Sequence, residues 1–80
     1  MEEVGVVTHY FNKIGVAVIK VTGNIKVGDT VHFKGANVDF SQKVESMQIE
    51  HENIEEAKPG DDIGMKVEQK VHENVRVYKE

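Results

Sequence analysis

Four histidines, fourteen carboxylates and no cysteine define the chemistry open to this chain of 80 residues. His9, His32, His51 and His72 are dispersed, none stands four residues from another, and the glutamates beside His51 and His72 do not complete an HExxH zinc motif. Alternation with Val31 and Phe33 predicts that His32 points to solvent, and the other three fall near strand ends. The carboxylate pairs Glu50/Glu52, Glu55/Glu56 and Asp61/Asp62 lack the regular ligand ladder of a calcium loop. A solvated loop face is expected of the first two and turn capping of Asp61. Thr8, Thr22, Thr30, Ser41 and Ser46 sit in no nucleophile elbow. The seven glycines are spread one to a turn or strand, with no GxxxxGK[ST] phosphate loop. No catalytic residue, metal, cofactor or nucleotide is therefore expected, and the chain is read as not an enzyme.

What remains is surface chemistry. Tyr10, Phe11, Asn12 and Lys13, with Lys20, Lys34 and Lys43, make a candidate contact set for RNA or another partner. Lysines can grip phosphates while an aromatic ring stacks an exposed base. The same lysines could equally guard strand edges against aggregation. Tyr10 and Phe11 are adjacent, so they face opposite sides of a strand, and the sequence leaves open which is core. A net charge of −4 argues against broad attraction to nucleic acid and leaves local basic patches.

These residues need strands to position them. Val4 to Tyr10 and Val16 to Val21 read as a hairpin around Asn12 and Lys13. Lys26-Val27-Gly28-Asp29 and Lys58-Pro59-Gly60-Asp61 each mark a turn into an alternating strand, with glycine supplying positive φ and aspartate closing the turn. Phe40 to about His51 reads as one strand in which Val44 changes phase with Met47 and Ile49, placing a β-bulge near Ser46. Ile54 to Lys58 reads as a loop with one anchoring isoleucine, and Val75 and Val77 lie on the last strand. The expected core is Val6, Ala17, Ile19, Val21, Val31, Phe33, Val44, Met47, Ile49, Ile63, Met65 and Val77. One all-β domain over 1–80 is expected, a small six- or seven-stranded closed antiparallel β-barrel. The acidic start, the absence of long apolar runs and the lack of cysteine predict a cytoplasmic location without membrane contact.

In order and spacing, "NIKVGDTVHFKG", "KVESMQIEH" and "EEAKPGDDIGMKV" resemble the second domain of translational GTPases, the β-barrel beside the nucleotide-binding domain of elongation factor Tu. The resemblance implies a recognition module without the GTPase chemistry. It also implies that Tyr10 to Val18 and the region of Met47 to His51 correspond to segments that help hold the aminoacylated 3′ end of tRNA in elongation factor Tu. In other members the barrel leans on ribosomal RNA. Partners implied are tRNA, ribosomal RNA or a translation-related protein. Similar barrels are C-terminal appendages of a collagenase-like peptidase family acting in RNA modification, which implies the alternative of a protein-interaction adaptor with no RNA contact.

Overall fold

The computed structural model describes residues 2–80, which contain strands and turns and no helix. β1 (Glu2–Phe11) and β2 (Val16–Val21) form the first hairpin, followed by β3 (Ile25–Lys26), β4 (Thr30–Gly35) and β5 (Val38–Lys43). After these come β6 (Met47–Ile49), β7 (Glu52–Ile54), β8 (Glu56–Ala57), β9 (Asp62–Lys66) and β10 (Arg76–Lys79). Eight strands pair antiparallel in the order β5-β4-β10-β1-β2-β9-β6-β7, and β3 pairs β8 as a separate ribbon.

The two glycine turns form as the residues dictate. Gly28 has φ +99° and Gly60 φ +97°, a region open to glycine without strain. Asp29 Oδ2 accepts from the Lys26 N–H and Asp61 Oδ2 from the Lys58 N–H, both at 2.9 Å. The backbone closes each turn in the other direction, from Asp29 N–H to Lys26 O and from Asp61 N–H to Lys58 O.

Other expectations change. The strands do not close into a barrel of six or seven: β5 and β7 are opposite ends of the pairing order. A side chain spans part of the gap. Gln42, buried near the end of β5, donates through Nε2 to Lys66 O (2.9 Å) and accepts at Oε1 from Glu68 N–H (2.8 Å). The expected long strand with a bulge near Ser46 is two strands. Val44 leaves β5 to bond the turn before β4, accepting from Gly28 N–H and donating to Asp29 O. The chain then crosses to β6, near the other end of the order, so the change of phase is a change of strand. Ile54 to Lys58, expected as loop, contains the end of β7 and all of β8, because β6 and β3 supply partners distant in sequence.

The bulges lie in β1 instead, where register shifts between Glu3 and Gly5 against β10 and between Val7 and His9 against β2. They invert the expected parity: Val4 and Val7 are fully buried and Val6 only partly. Ile49 is likewise half-buried, packed on the rim of the core, whereas the other ten expected core residues are buried. Ile25, Val38, Phe40, Ala57, Val67, Val71 and Val75 complete the core, and Phe33 stacks on Phe40 with ring centroids 5.0 Å apart. No helix among the described residues is long and apolar enough to cross a membrane.

Candidate binding groove

The β1–β2 hairpin settles the orientation of the adjacent aromatics. Tyr10 pairs with buried Ala17 and packs against the core, while Phe11, opposite Val16, is 46% exposed. The turn between them is tightly tied. Ile14 N–H and Gly15 N–H both donate to Phe11 O, and Gly15 O accepts from Val67 N–H at 2.9 Å. This fixed turn holds Ile14 outward, 63% exposed, the most exposed large apolar side chain of the described residues. His9 lies edge-on to Phe11 with ring centroids 4.4 Å apart.

Outward-facing residues align across the neighbouring strands. His9 is opposite Val18, Val18 opposite Gly64, Gly64 opposite Gln48 and Gln48 opposite Asn53. Gln48 Nε2 donates to Asn53 Oδ1 at 3.0 Å, which fixes the far end of the row. With no side chain at its centre, the row dips into a groove of about 300 Å³ between Phe11, Ile14, Val16 and Val18 on one side and Gln48, Glu50 and His51 on the other. The structure thus brings the Tyr10–Val18 and Met47–His51 segments together across β9.

The far rim is a two-residue hairpin turn, with Ile49 opposite Glu52 and both intervening residues at positive φ, Glu50 at 50° and His51 at 68°. Asn-Gly is the pair that fits such a turn most easily, so Glu-His holds it at a cost of about 1–2 kcal/mol per residue. Charge is segregated about the groove. Residues 45–62 contain seven of the fourteen carboxylates and one cation, Lys58, so this segment carries −6 and the rest of the chain +2 of the total −4.

The remaining expected contact residues are dispersed. Asn12 and Lys13 line a shallow depression at the hairpin tip beside Phe11 and Ile14. Lys20 sits 3.8 Å from Asp62 and donates to Gly60 O. Lys34 lies on β4 opposite Asp39, and Lys43 on β5 opposite Thr30, away from the groove. Lys34, Arg76, Val6 and Lys20 do form one outward row across β4, β10, β1 and β2. Arg76 in that row is bonded to both carboxylate oxygens of Glu3 at 3.2 Å.

Two histidines are bound into the fold. His32 takes the outward face that alternation predicts, but neighbours partly cover it: its side chain is 20% exposed, Nε2 meets Asp39 Oδ1 and Nδ1 lies 3.2 Å from Ser41 Oγ. Ser41 Oγ also donates to Glu80 Oε2 at 2.9 Å. His72 directs Nδ1 to Glu73 O and Nε2 to Ala36 O, each at 2.8 Å, and these two carbonyls hold its pKa above 6.5, Ala36 contributing most. Among the described residues no group of three His, Cys, Asp or Glu side chains is arranged to hold a metal ion.

The groove residues outside the two segments singled out in the sequence are Asp62, Ile63 and Gly64. The signal for Gly64 was a glycine inside an alternating strand.

Residues 2–76 match the family model described as Peptidase family U32 C-terminal domain. An uncharacterized protease of Methanocaldococcus jannaschii is 38% identical over 77 residues, covering 95% of this chain and 19% of that protein. The chain therefore spans under one fifth of that relative's length. The likeness to elongation factors is narrower: elongation factor 1-alpha of Pyrococcus horikoshii is 44% identical over 50 residues, 58% of this chain and 12% of that protein. In fold, the crystallised C-terminal domain of a Geobacillus thermoleovorans U32 peptidase superposes with a TM-score of 0.95 over 99% of this chain and 100% of that one, at 24% identity.

Proposed function

Because the chain belongs to the family described as Peptidase family U32 C-terminal domain, we propose that it is a non-catalytic module that works beside a peptidase body and holds polypeptide through the Phe11–Ile14 groove. The observation that carries this is the pair of exposed apolar side chains on a hairpin turn tied at both ends. Exposed apolar side chains held rigidly over a groove favour a binding role, since ordering them on association costs little entropy. The charge of −4 also favours a polypeptide over a phosphate backbone.

The test is a chimera. The Methanocaldococcus jannaschii protease is truncated to remove its matching 77 residues, and this chain is fused in their place. Casein hydrolysis and retention of casein on a column are measured for the truncated, chimeric and Phe11→Ala/Ile14→Ala chimeric proteins. The chimera is expected to regain retention that truncation removes, and the double variant to lose it. A chimera no better than the truncated protein overturns the proposal.

A second reading is favoured by the row of Lys34, Arg76 and Lys20 together with the partial likeness to elongation factors. In it the strand face, not the groove, contacts tRNA, ribosomal RNA or a ribonucleoprotein. It predicts binding that weakens steeply with salt, and loss of affinity in Lys34→Glu and Lys20→Glu.

A further inference from the structure

We infer that the groove over Gly64 receives a polypeptide segment carrying one bulky apolar side chain beside Lys or Arg residues, an inference that rests on the module reading above. Shape comes first. The groove holds about 300 Å³, at the lower end of ligand pockets and enough for one or two side chains. Its depth comes from Gly64, and nothing in the backbone demands a glycine there. Its φ lies outside the left-handed region that Gly15, Gly28 and Gly60 occupy, and an added Cβ would stand 3.3 Å from Val16 Cγ1, close but short of a forbidding clash. The consequence of the glycine is open space on a sheet face that side chains would otherwise cover.

Chemistry follows from the two walls. One wall is apolar, with Phe11, Ile14, Val16 and Val18 left partly or largely exposed to water. The other is the edge of the segment that carries the whole negative excess of the chain. Glu50 on that wall has no ion-pair partner among the described residues, whereas Asp62 at the lower rim is already near Lys20. A ligand that is apolar where it meets Phe11 and cationic where it meets Glu50 satisfies both walls. A phosphate or a carboxylate at the same place is repelled. The turn strengthens the assignment. Glu50 and His51 stand at positive φ where Asn-Gly would fold more easily, and local strain of this kind collects where a side chain is needed for recognition.

The experiment is an NMR titration of the 80-residue chain with three probes: a 12-residue peptide with Leu-Phe at its centre flanked by lysines, the same peptide with glutamates for lysines, and a 12-nucleotide single-stranded RNA. The expected result is a saturable shift of the Val18, Gly64 and Gln48 amides with the lysine peptide, at least about tenfold weaker with the glutamate peptide. Phe11→Ala weakens the lysine peptide by about tenfold or more, which corresponds to about 1.4 kcal/mol. Glu50→Asn/His51→Gly weakens it as well while keeping the fold, because that pair suits the turn. Equal binding of both peptides, RNA alone shifting these amides, or no saturation with either peptide each overturns the inference. The chimera separates the two levels: retention of casein by the chimera without peptide binding in the titration removes the groove assignment and leaves the module reading standing. Binding of the lysine peptide by a chain whose chimera fails does the reverse.

Discussion

Gln42 replaces a stretch of strand pairing with one side chain, and removing it measures what that seam is worth. In Gln42→Leu the volume is nearly kept, but the Glu68 N–H loses its acceptor and Lys66 O loses a donor. Two ordinary hydrogen bonds contribute about 1 kcal/mol net each, and a buried donor left without a partner costs about 1–3 kcal/mol. The depression beside Gln42, lined by Glu45, Ser46, Lys66, Val67 and Glu68, lets water reach the broken bonds. The expected loss is therefore about 2 kcal/mol, below the full sum of these terms. Against a total stability of about 4–12 kcal/mol for 80 residues, that is a large fraction. Urea denaturation should show the midpoint falling at unchanged m-value, and thermal melting should fall by about 8–16 °C, at roughly 4–8 °C per kcal/mol for a domain of this size. Hydrogen exchange at the Glu68 amide should accelerate beyond what global stability accounts for. Gln42→Glu keeps the acceptor for Glu68 but puts a carboxylate against Lys66 O, so it should lose as much or more. A Gln42→Leu protein within about 0.5 kcal/mol of the parent, with normal protection at Glu68, would refute the idea that a side chain fastens the seam.

Three further outcomes follow from the turns and from His72. Replacing Glu50-His51 by Asn-Gly should stabilise the fold by about 1–2 kcal/mol in urea denaturation, since Asn and Gly take the positive φ of both turn positions with less strain than Glu and His. Gly28→Ala and Gly60→Ala should each destabilise by about 1 kcal/mol and by similar amounts, because both sites have positive φ near +98° and neither Cβ would meet an atom within 4 Å. His72 makes two bonds to carbonyls, which only accept, so both nitrogens donate only as imidazolium and the folded pKa lies above 6.5. A raised pKa contributes stability present in full below 6.5 and lost as pH rises through the folded value. The urea midpoint should fall across that window, and His72→Gln should flatten the dependence.

What the sequence made legible was local. The two Gly-Asp turns, the first hairpin and the inward faces of β2, β4 and β9 follow from residue type at spacings of a few positions. What it hid depends on distant partners. Parity along Phe40 to His51 reports which face a residue takes, yet cannot tell a bulge from a chain that crosses to another strand, and here Val44 is claimed by Gly28 and Asp29. The two bulges in β1 arise against β10 and β2, so reading one parity from Val6 misplaced Val4 and Val7. β8 is two residues long and exists because Ile25 and Lys26 pair with it. Of the expected contact residues the structure places Phe11 in the groove wall and Lys13 in the adjacent depression, whereas Lys34 and Lys43 are carried away on β4 and β5.

An internal near-symmetry shows why the groove belongs to this sequence and not to the fold at large. The two turns are offset by 32 positions, Ile25 pairs with Ala57 between them, and each turn is bonded by a valine in the same way: Val44 to Gly28 and Asp29, Val21 to Gly60 and Asp61, all at 2.8–2.9 Å. The same offset relates β4 to β9, with buried Val31 and Phe33 matching buried Ile63 and Met65. Strand pairing, at other offsets, then matches the neighbours on either side, β5 to β2 and β10 to β6, since Phe33 is opposite Phe40 and Val77, and Met65 opposite Ala17 and Met47. Gly64 then corresponds to His32, and the row Val18, Gly64, Gln48 to the row Ser41, His32, Tyr78. On one side the central position is filled by an imidazole bonded to Asp39 and close to Ser41; on the other it is empty and flanked by partly exposed valines and by exposed phenylalanine and isoleucine. Equivalent backbones that differ in this way show that the sheet does not require the depression. The side chains do, and a groove that the fold tolerates filled but this half leaves open, beside a strained acidic turn, is where binding should be sought first.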